Sequence, residues 1–197
     1  MNALNPLRGL AALFIAYLLG SVCFGILIAR RKGVNLREHG SGNIGSTNVL
    51  RVIGKREALL TLIGDVLKGT AAVLIARLLT DQEVWLALSA LAAILGHNYP
   101  IFFNWKGGKG VATTFGVLFA YMPIVGLILV VVWGAAVAWT HISSVGALTI
   151  SVVLPFLAYW FGSGSLQVLF SLTVGLMLLI RHKENIRRLI SGEEKTC

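Results

Sequence analysis

The chain has 197 residues, of which 56% are hydrophobic and only 13% charged, and its mean hydropathy is +0.81. A soluble globular domain carries about a quarter charged residues, so this composition excludes an ordinary soluble fold and fits a chain built for a bilayer. The net charge of +9 does not argue for nucleic acid here, because membrane proteins gather Lys and Arg in cytoplasmic loops that meet anionic phospholipid.

Residues 9–29 form a run of 21 without Asp, Glu, Lys or Arg, and residues 110–180 form a run of 71. The first predicts one span from about residue 8 to 29, stopped by Arg30-Arg31-Lys32 on the inner side. It is too long for the apolar core of a secretory signal and shows no small-x-small cleavage site, so it is expected to be retained. Cys23 within it and Cys197 at the other end are expected to be unpaired. A second span covers about 57–79 and contains Asp65 and Lys68; Asp81 and Glu83 mark an outer turn before a third span at 84–103. Polar residues 104–110 then return to the inner side.

The apolar stretch 111–140 decides the topology. A single crossing would put Arg181, Lys183, Arg187, Arg188 and Lys195 outside, against the positive-inside bias. Two crossings keep that tail inside, but residues 111–121 reach only about 17 Å at 1.5 Å per residue, against a hydrocarbon core of roughly 30 Å. The preceding loop is therefore expected to dip into the membrane, where irregular backbone needs protein or a wet cavity around it. Later spans are predicted at 123–139, 145–161 and 166–180, with an inner turn at 140–144 and an outer one at 162–165. The expected fold is all-α and polytopic, with seven transmembrane helices, one of them short, a reentrant-type loop, and a single domain over residues 1–197. On this topology, with the N-terminus outside, fourteen of the seventeen basic residues are cytoplasmic. Five crossings, with the shorter segments on the surface, is the alternative.

Four polar groups stand out against the hydrocarbon. Gly40-Ser41-Gly42-Asn43-Ile44-Gly45-Ser46-Thr47-Asn48-Val49-Leu50-Arg51 combines glycines, hydroxyls, amides and a terminal Arg, a composition suited to lining an oxyanion. A Gly/Asn-rich turn accounts for the glycines but not for so long a polar run. Lys106-Gly107-Gly108-Lys109-Gly110 precedes the short helix, and glycine amides with lysines at a helix start also suit an anion. His97, at the end of the third span, is either held by backbone or active in chemistry. Asp65 and Lys68, at i and i+3, are expected to pair inside the bundle, either as structure or as support for the site. His182 and Asn185 share the same spacing in the basic run 181–188. The four histidines, at 39, 97, 141 and 182, have no carboxylate or Cys partners at ligand spacing, so no metal site is expected.

Together these segments resemble the bacterial acyl-phosphate:glycerol-3-phosphate acyltransferases. The resemblance rests on Gly40-Ser-Gly-Asn-x-Gly-x-Thr-Asn-x-x-Arg51, on Gly96-His-x-Tyr-Pro with Lys106-Gly-Gly-Lys-Gly-Val-Ala-Thr113, and on Arg181-His-x-x-Asn-Ile-x-Arg188. The motifs occur in family order and span essentially the whole chain. Asn104 and Trp105, beside the second motif, depart from the family's usual residues. The resemblance implies transfer of an acyl group from acyl phosphate to the 1-hydroxyl of glycerol 3-phosphate, giving lysophosphatidate and phosphate for phospholipid synthesis. It implies a multi-pass protein of the cell inner membrane, a site facing the cytoplasm, contact with membrane phospholipid, and no cofactor. By motif position it implies Ser41, Arg51, Lys109, His182 and Asn185 as catalytic residues. Gly42, Asn43, Thr47, Asn48, Lys106, Gly107 and Gly108 would be substrate-binding. The His-x-x-x-x-Asp motif of acyl-CoA-dependent relatives is absent, since Ile44, Phe102, Gly146 and Arg187 stand five places after the histidines. A transporter of a phosphorylated metabolite is the competing function, but it calls for polar groups through the midplane and repeated halves.

Overall fold

Small residues decide where the helices meet. A computed structural model describes residues 6–161 and 164–196. Cys197, and residues 162 and 163 of the expected outer turn, lie outside the described residues. All regular structure among those described is helical, and the chain divides into two units, Met1–Tyr121 and Met122–Cys197.

The first unit contains α1 (Pro6–Gly20), α2 (Phe24–Arg31), α3 (Ser46–Val52), α4 (Lys55–Leu79), α5 (Glu83–Asn98), a 3-10 turn (Ile101–Phe103) and α6 (Val111–Tyr121). The buried residues of α1 are Gly9, Ala12, Ala16 and Gly20, a stripe at helical spacing, whereas Leu7, Leu10 and Phe14 are exposed. That reverses the pattern of a soluble protein, because lipid solvates large aliphatic groups and helices gain contact by bringing backbones close. A side chain at Gly20 would run into the Ala93 carbonyl and one at Gly96 into the Tyr17 carbonyl, so α1 and α5 touch along their backbones. The α4–α6 pair is built alike: a side chain at Gly116 would meet the Val66 carbonyl.

The second unit holds α7 (Pro123–Thr140), α8 (Ser143–Trp160), α9 (Ser165–Arg181) and α10 (Lys183–Ile190). Gly175 of α9 lies against the Ser151 carbonyl of α8. Trp139 and Trp160, near helix ends, are exposed, as suits aromatic rings at a membrane interface.

Among the described residues, five helical stretches are long and apolar enough to cross a membrane: Pro6–Arg31, Lys55–Leu79, Glu83–Phe103, Pro123–Thr140 and Ser143–Trp160. The bent pair Ser165–Arg181 and Lys183–Ile190 brings the number to six, and Val111–Tyr121 is a shorter apolar helix. Two expected helices differ from the sequence reading. The first span is interrupted at residues 21–23, where the Val22 carbonyl accepts a hydrogen bond from Lys68 Nζ (2.6 Å) instead of continuing a helical ladder. The last helix does not run on through the basic segment; it bends by 58° at His182.

Candidate active site

The segment from 40 to 51 is half turn and half helix. Gly40 adopts φ +64°, a conformation that favours glycine, and a side chain there would strike Asn48 Oδ1. Asn48 is buried and its amide organises the turn: Oδ1 accepts the Ser41 N–H (2.8 Å), and Nδ2 donates to the carbonyls of Asn43 (2.8 Å), His39 (3.1 Å) and Leu36 (3.3 Å). Both N–H groups of that amide are therefore engaged with backbone. Thr47 and Arg51 lie on α3 and are half-buried, while Ser41 is exposed at the turn. The expected loop thus becomes a turn clamped by Asn48, followed by a helix carrying Arg51.

The second segment is pressed against the end of α5. The amides of Gly107 and Gly108 donate to the carbonyls of Asn98 (3.2 Å) and His97 (3.1 Å), the orphan acceptors of a helix C-terminus. A side chain at Gly107 would strike the His97 carbonyl, and one at Gly108 would strike His97 Nε2. These glycines are there because the backbone passes too close for a Cβ, rather than to leave their amides open. Lys106 is exposed and Lys109 half-buried, and α6 starts two residues after Lys109. Asn104 and Trp105 have left-handed φ values of 55° and 59°, turning the chain back toward α5.

Arg37, three residues before the first segment and not singled out from the sequence, ties the approach to that segment to the second. Its guanidinium donates to the Lys106 carbonyl (2.6 Å) and the Phe103 carbonyl (3.3 Å). Ile44, Phe103 and Cys23 pack together beneath, and the Arg30 guanidinium lies 5.4 Å from the Phe103 ring centroid. The ends of α2 and α5 and the starts of α3, α4 and α6 thus collect at one end of the first unit. A recess of about 490 Å³ opens beside them, lined by Ile26, Arg30, Arg37, Ile44, Phe102 and Phe103. Ile44 of the first segment lines that recess, but none of the first unit's candidate catalytic or substrate-binding residues does. Its lining mixes apolar side chains with the two arginines Arg30 and Arg37.

Under the second segment lie Asp65, Lys68 and His97, all buried. Lys68 Nζ is 2.7 Å from Asp65 Oδ1 and 2.9 Å from His97 Nδ1. The expected Asp65–Lys68 pair is present, and His97 is its third member, a partner the i, i+3 spacing could not reveal.

In the second unit, described by itself, His182 ends α9 and is buried with Asn185. The Leu178 carbonyl lies 2.8 Å from His182 Nδ1, and a carbonyl only accepts, so Nδ1 carries a proton. In the neutral ring Nε2 is then the basic nitrogen. Asn185 Nδ2 donates to Glu194 Oε1, which also accepts from Ser144 Oγ (2.8 Å), and Arg188 Nε reaches Glu194 Oε2 at 2.6 Å. His182 sits at the bend, closing α9 and capping the start of α10, the helix that carries Asn185, and its carbonyl accepts the Ile186 N–H at 2.9 Å. Glu194, the hub of this cluster, was not singled out from the sequence.

The family model for glycerol-3-phosphate acyltransferase matches residues 10–192, across both units. The chain belongs to the glycerol-3-phosphate acyltransferase family. It is 43% identical to the glycerol-3-phosphate acyltransferase of Aquifex aeolicus, over 95% of this chain and 98% of that one. It is 44% identical to that of Geotalea daltonii, over 91% and 92% of the two chains. Among solved structures it matches PlsY (YgiH), an integral membrane glycerol 3-phosphate acyltransferase, in its glycerol 3-phosphate form. That match has a TM-score of 0.92 at 40% identity and covers 96% of this chain and 95% of the other. The lysophosphatidic acid form of PlsY matches with a TM-score of 0.89 at 39% identity, covering 95% and 94%. The chain is accordingly an integral membrane protein of this family, and the motifs that carried the resemblance lie within the matched residues.

Proposed function

We propose that this chain transfers an acyl group from acyl phosphate to the 1-hydroxyl of glycerol 3-phosphate, giving lysophosphatidate and phosphate. The hydroxyl oxygen attacks the acyl carbon, the bond from that carbon to the phosphate oxygen breaks, and the leaving phosphate takes the electron pair and then the hydroxyl proton. A mixed anhydride is already activated, so positioning and electrostatic stabilisation suffice and no protein base is required. Arg51 and Lys109 hold the negative charge of the reacting groups, and Ser41 hydrogen-bonds at the site. Gly42, Asn43, Thr47 and Lys106 belong to the substrate-binding segments, and Asn48, Gly107 and Gly108 keep those segments in shape. His182 and Asn185 take part by virtue of the third motif. The observation that supports this reading is the bonding of Arg37, just before the first glycine-rich segment, to the Phe103 and Lys106 carbonyls, which ties the approach to that segment to the second.

The chain crosses the inner membrane seven times, with α6 as the short span, the segment before it entering the bilayer, and this end facing the cytoplasm. The basic residues of 30–56, 104–110 and the tail support that orientation. One domain, 1–197, carries the activity, in keeping with a family match that runs across both units.

The test is purified protein in detergent, given acyl phosphate and glycerol 3-phosphate, with lysophosphatidate and phosphate measured. Equal amounts of both products are expected, unaffected by a chelator, and Arg51→Ala should lose turnover while melting like the wild type. Product formed from acyl-CoA but not from acyl phosphate overturns the donor assignment.

A further inference from the structure

Asp65, Lys68 and His97 lie one layer beneath the Gly107–Gly108 segment, and the transfer step above makes no use of them. Their exposures are 2%, 5% and 3%. Lys68 has three donor hydrogens and three acceptors in reach: Asp65 Oδ1 at 2.7 Å, His97 Nδ1 at 2.9 Å and the Val22 carbonyl at 2.6 Å. An ammonium group only donates, so Nδ1 of His97 accepts and the ring proton resides on Nε2. Nε2 is the ring atom that faces Gly108, and the carbonyl of the same histidine accepts the Gly108 amide at 3.1 Å. His97 therefore meets Gly108 twice: its carbonyl accepts the Gly108 amide, and its ring packs where a Cβ on that residue would stand.

Stability alone does not account for such a cluster. An ion pair taken from water into a buried site seldom stabilises better than hydrocarbon of the same volume, and charges inside a membrane segment are costlier still. What the cluster supplies that hydrocarbon would not is one orientation and one tautomer of His97. Lys68 also reaches the carbonyl left open at the α1–α2 break, so a single ammonium ties that break, α4 and the end of α5 into one frame.

We propose that Asp65, Lys68 and His97 are positioning residues for glycerol 3-phosphate: they lock the His97 ring against Gly108 and thereby fix the segment that presents Lys109 to the phosphate. The proposal rests on reading the Lys106–Lys109 segment as a binding segment for that substrate. A displacement of about 1 Å in a positioning group is enough to cost roughly a hundredfold in rate, so the frame beneath the segment is as consequential as the segment itself.

Two substitutions at His97 separate its roles. His97→Asn keeps an acceptor near Nδ1 for Lys68 but removes the group that faces Gly108, whereas His97→Gln places an amide nitrogen where Nε2 stands. Binding of radiolabelled glycerol 3-phosphate to each purified protein in detergent is measured, alongside thermal unfolding and the KM of each substrate in the transfer assay. His97→Asn should weaken glycerol 3-phosphate binding tenfold or more, with the KM for acyl phosphate and the melting temperature close to wild type. His97→Gln should bind within about threefold of wild type. Asp65→Asn with Lys68→Met, which removes both charges together, should weaken binding as His97→Asn does. Unchanged binding by His97→Asn, or loss only in proportion to unfolded protein, overturns the proposal. A wild type that transfers nothing from acyl phosphate yet shows this pattern of binding overturns the donor assignment alone. A wild type that transfers normally while His97→Asn binds unchanged overturns the positioning role alone.

Discussion

Glu194 stands one place after another glutamate near the end of the chain, and nothing in its sequence neighbourhood marks it out. In the fold its side chain is 6% exposed and takes hydrogen bonds from Arg188, Ser144 and Asn185, which pins the tail to α8 and α10. Burial raises its carboxyl pKa, but those three donors outweigh it and hold the value below that of an ordinary glutamate. The sign follows from linkage. The unfolded chain binds the proton more readily, so the stabilisation is fully present above the ordinary glutamate pKa and is lost as pH falls through the lowered one. Glu194→Gln should lower stability near neutral pH by on the order of 2 kcal/mol, a cost typical of losing charge-assisted hydrogen bonds. The gap from wild type should close in acid. Melting curves in detergent between pH 7 and the acid limit of the protein check this; a constant gap would remove Glu194 from the pH dependence. Asn48 carries the same lesson. Its type fits a ligand contact, and only the four backbone partners reveal that it clamps the turn.

At the scale of the element, the closest helix contacts are made through glycine and alanine, with large side chains such as Phe170, Ile94 and Leu118 filling the space between. Gly116 of α6 has no room for a Cβ against the Val66 carbonyl of α4, whereas Gly134 of α7 has nothing within 4 Å of its Cβ position. Gly116→Ala should therefore force α4 and α6 apart, at a cost of about 1–3 kcal/mol from overpacking. Gly134→Ala should be neutral or slightly stabilising, since alanine is the better helix former. Thermal unfolding of both variants in the same detergent makes the comparison, and equal effects would contradict the packing account. The composition contrast between small buried and large exposed residues is legible in sequence once a bilayer is assumed. The partner of each stripe is not, because a row of small residues such as Gly9, Ala12, Ala16 and Gly20 is compatible with any close neighbour.

For the whole molecule the distribution of positive charge sets an expectation of orientation. Fourteen of seventeen basic residues fall inside if the short helix α6 crosses, and the tail then lies in the cytoplasm. A fluorescent reporter protein fused after residue 197 should be bright, and alkaline phosphatase at the same place inactive. The opposite pair of results would put the tail outside and reduce the number of crossings by one. The structure bears on this through length and packing: α6 has 11 residues, about 17 Å, and it packs against α4 and α5.

What the sequence determined by itself was the bilayer environment, the all-helical class, most helix bounds and the family. These follow from hydropathy and from motifs whose residues lie close together along the chain. Only the tertiary structure decided what the residues of those motifs touch. Apolar runs carry no mark of the carbonyl that will be taken from a helix, so the break at 21–23 emerged with the Lys68–Val22 bond. Spacing placed Asp65 beside Lys68, but His97 is 29 residues further on, and Arg37 lies 69 residues from its partner at Lys106. Side chains reach the nearest turn of their own helix by local geometry, whereas contacts over such separations exist only after the helices have packed.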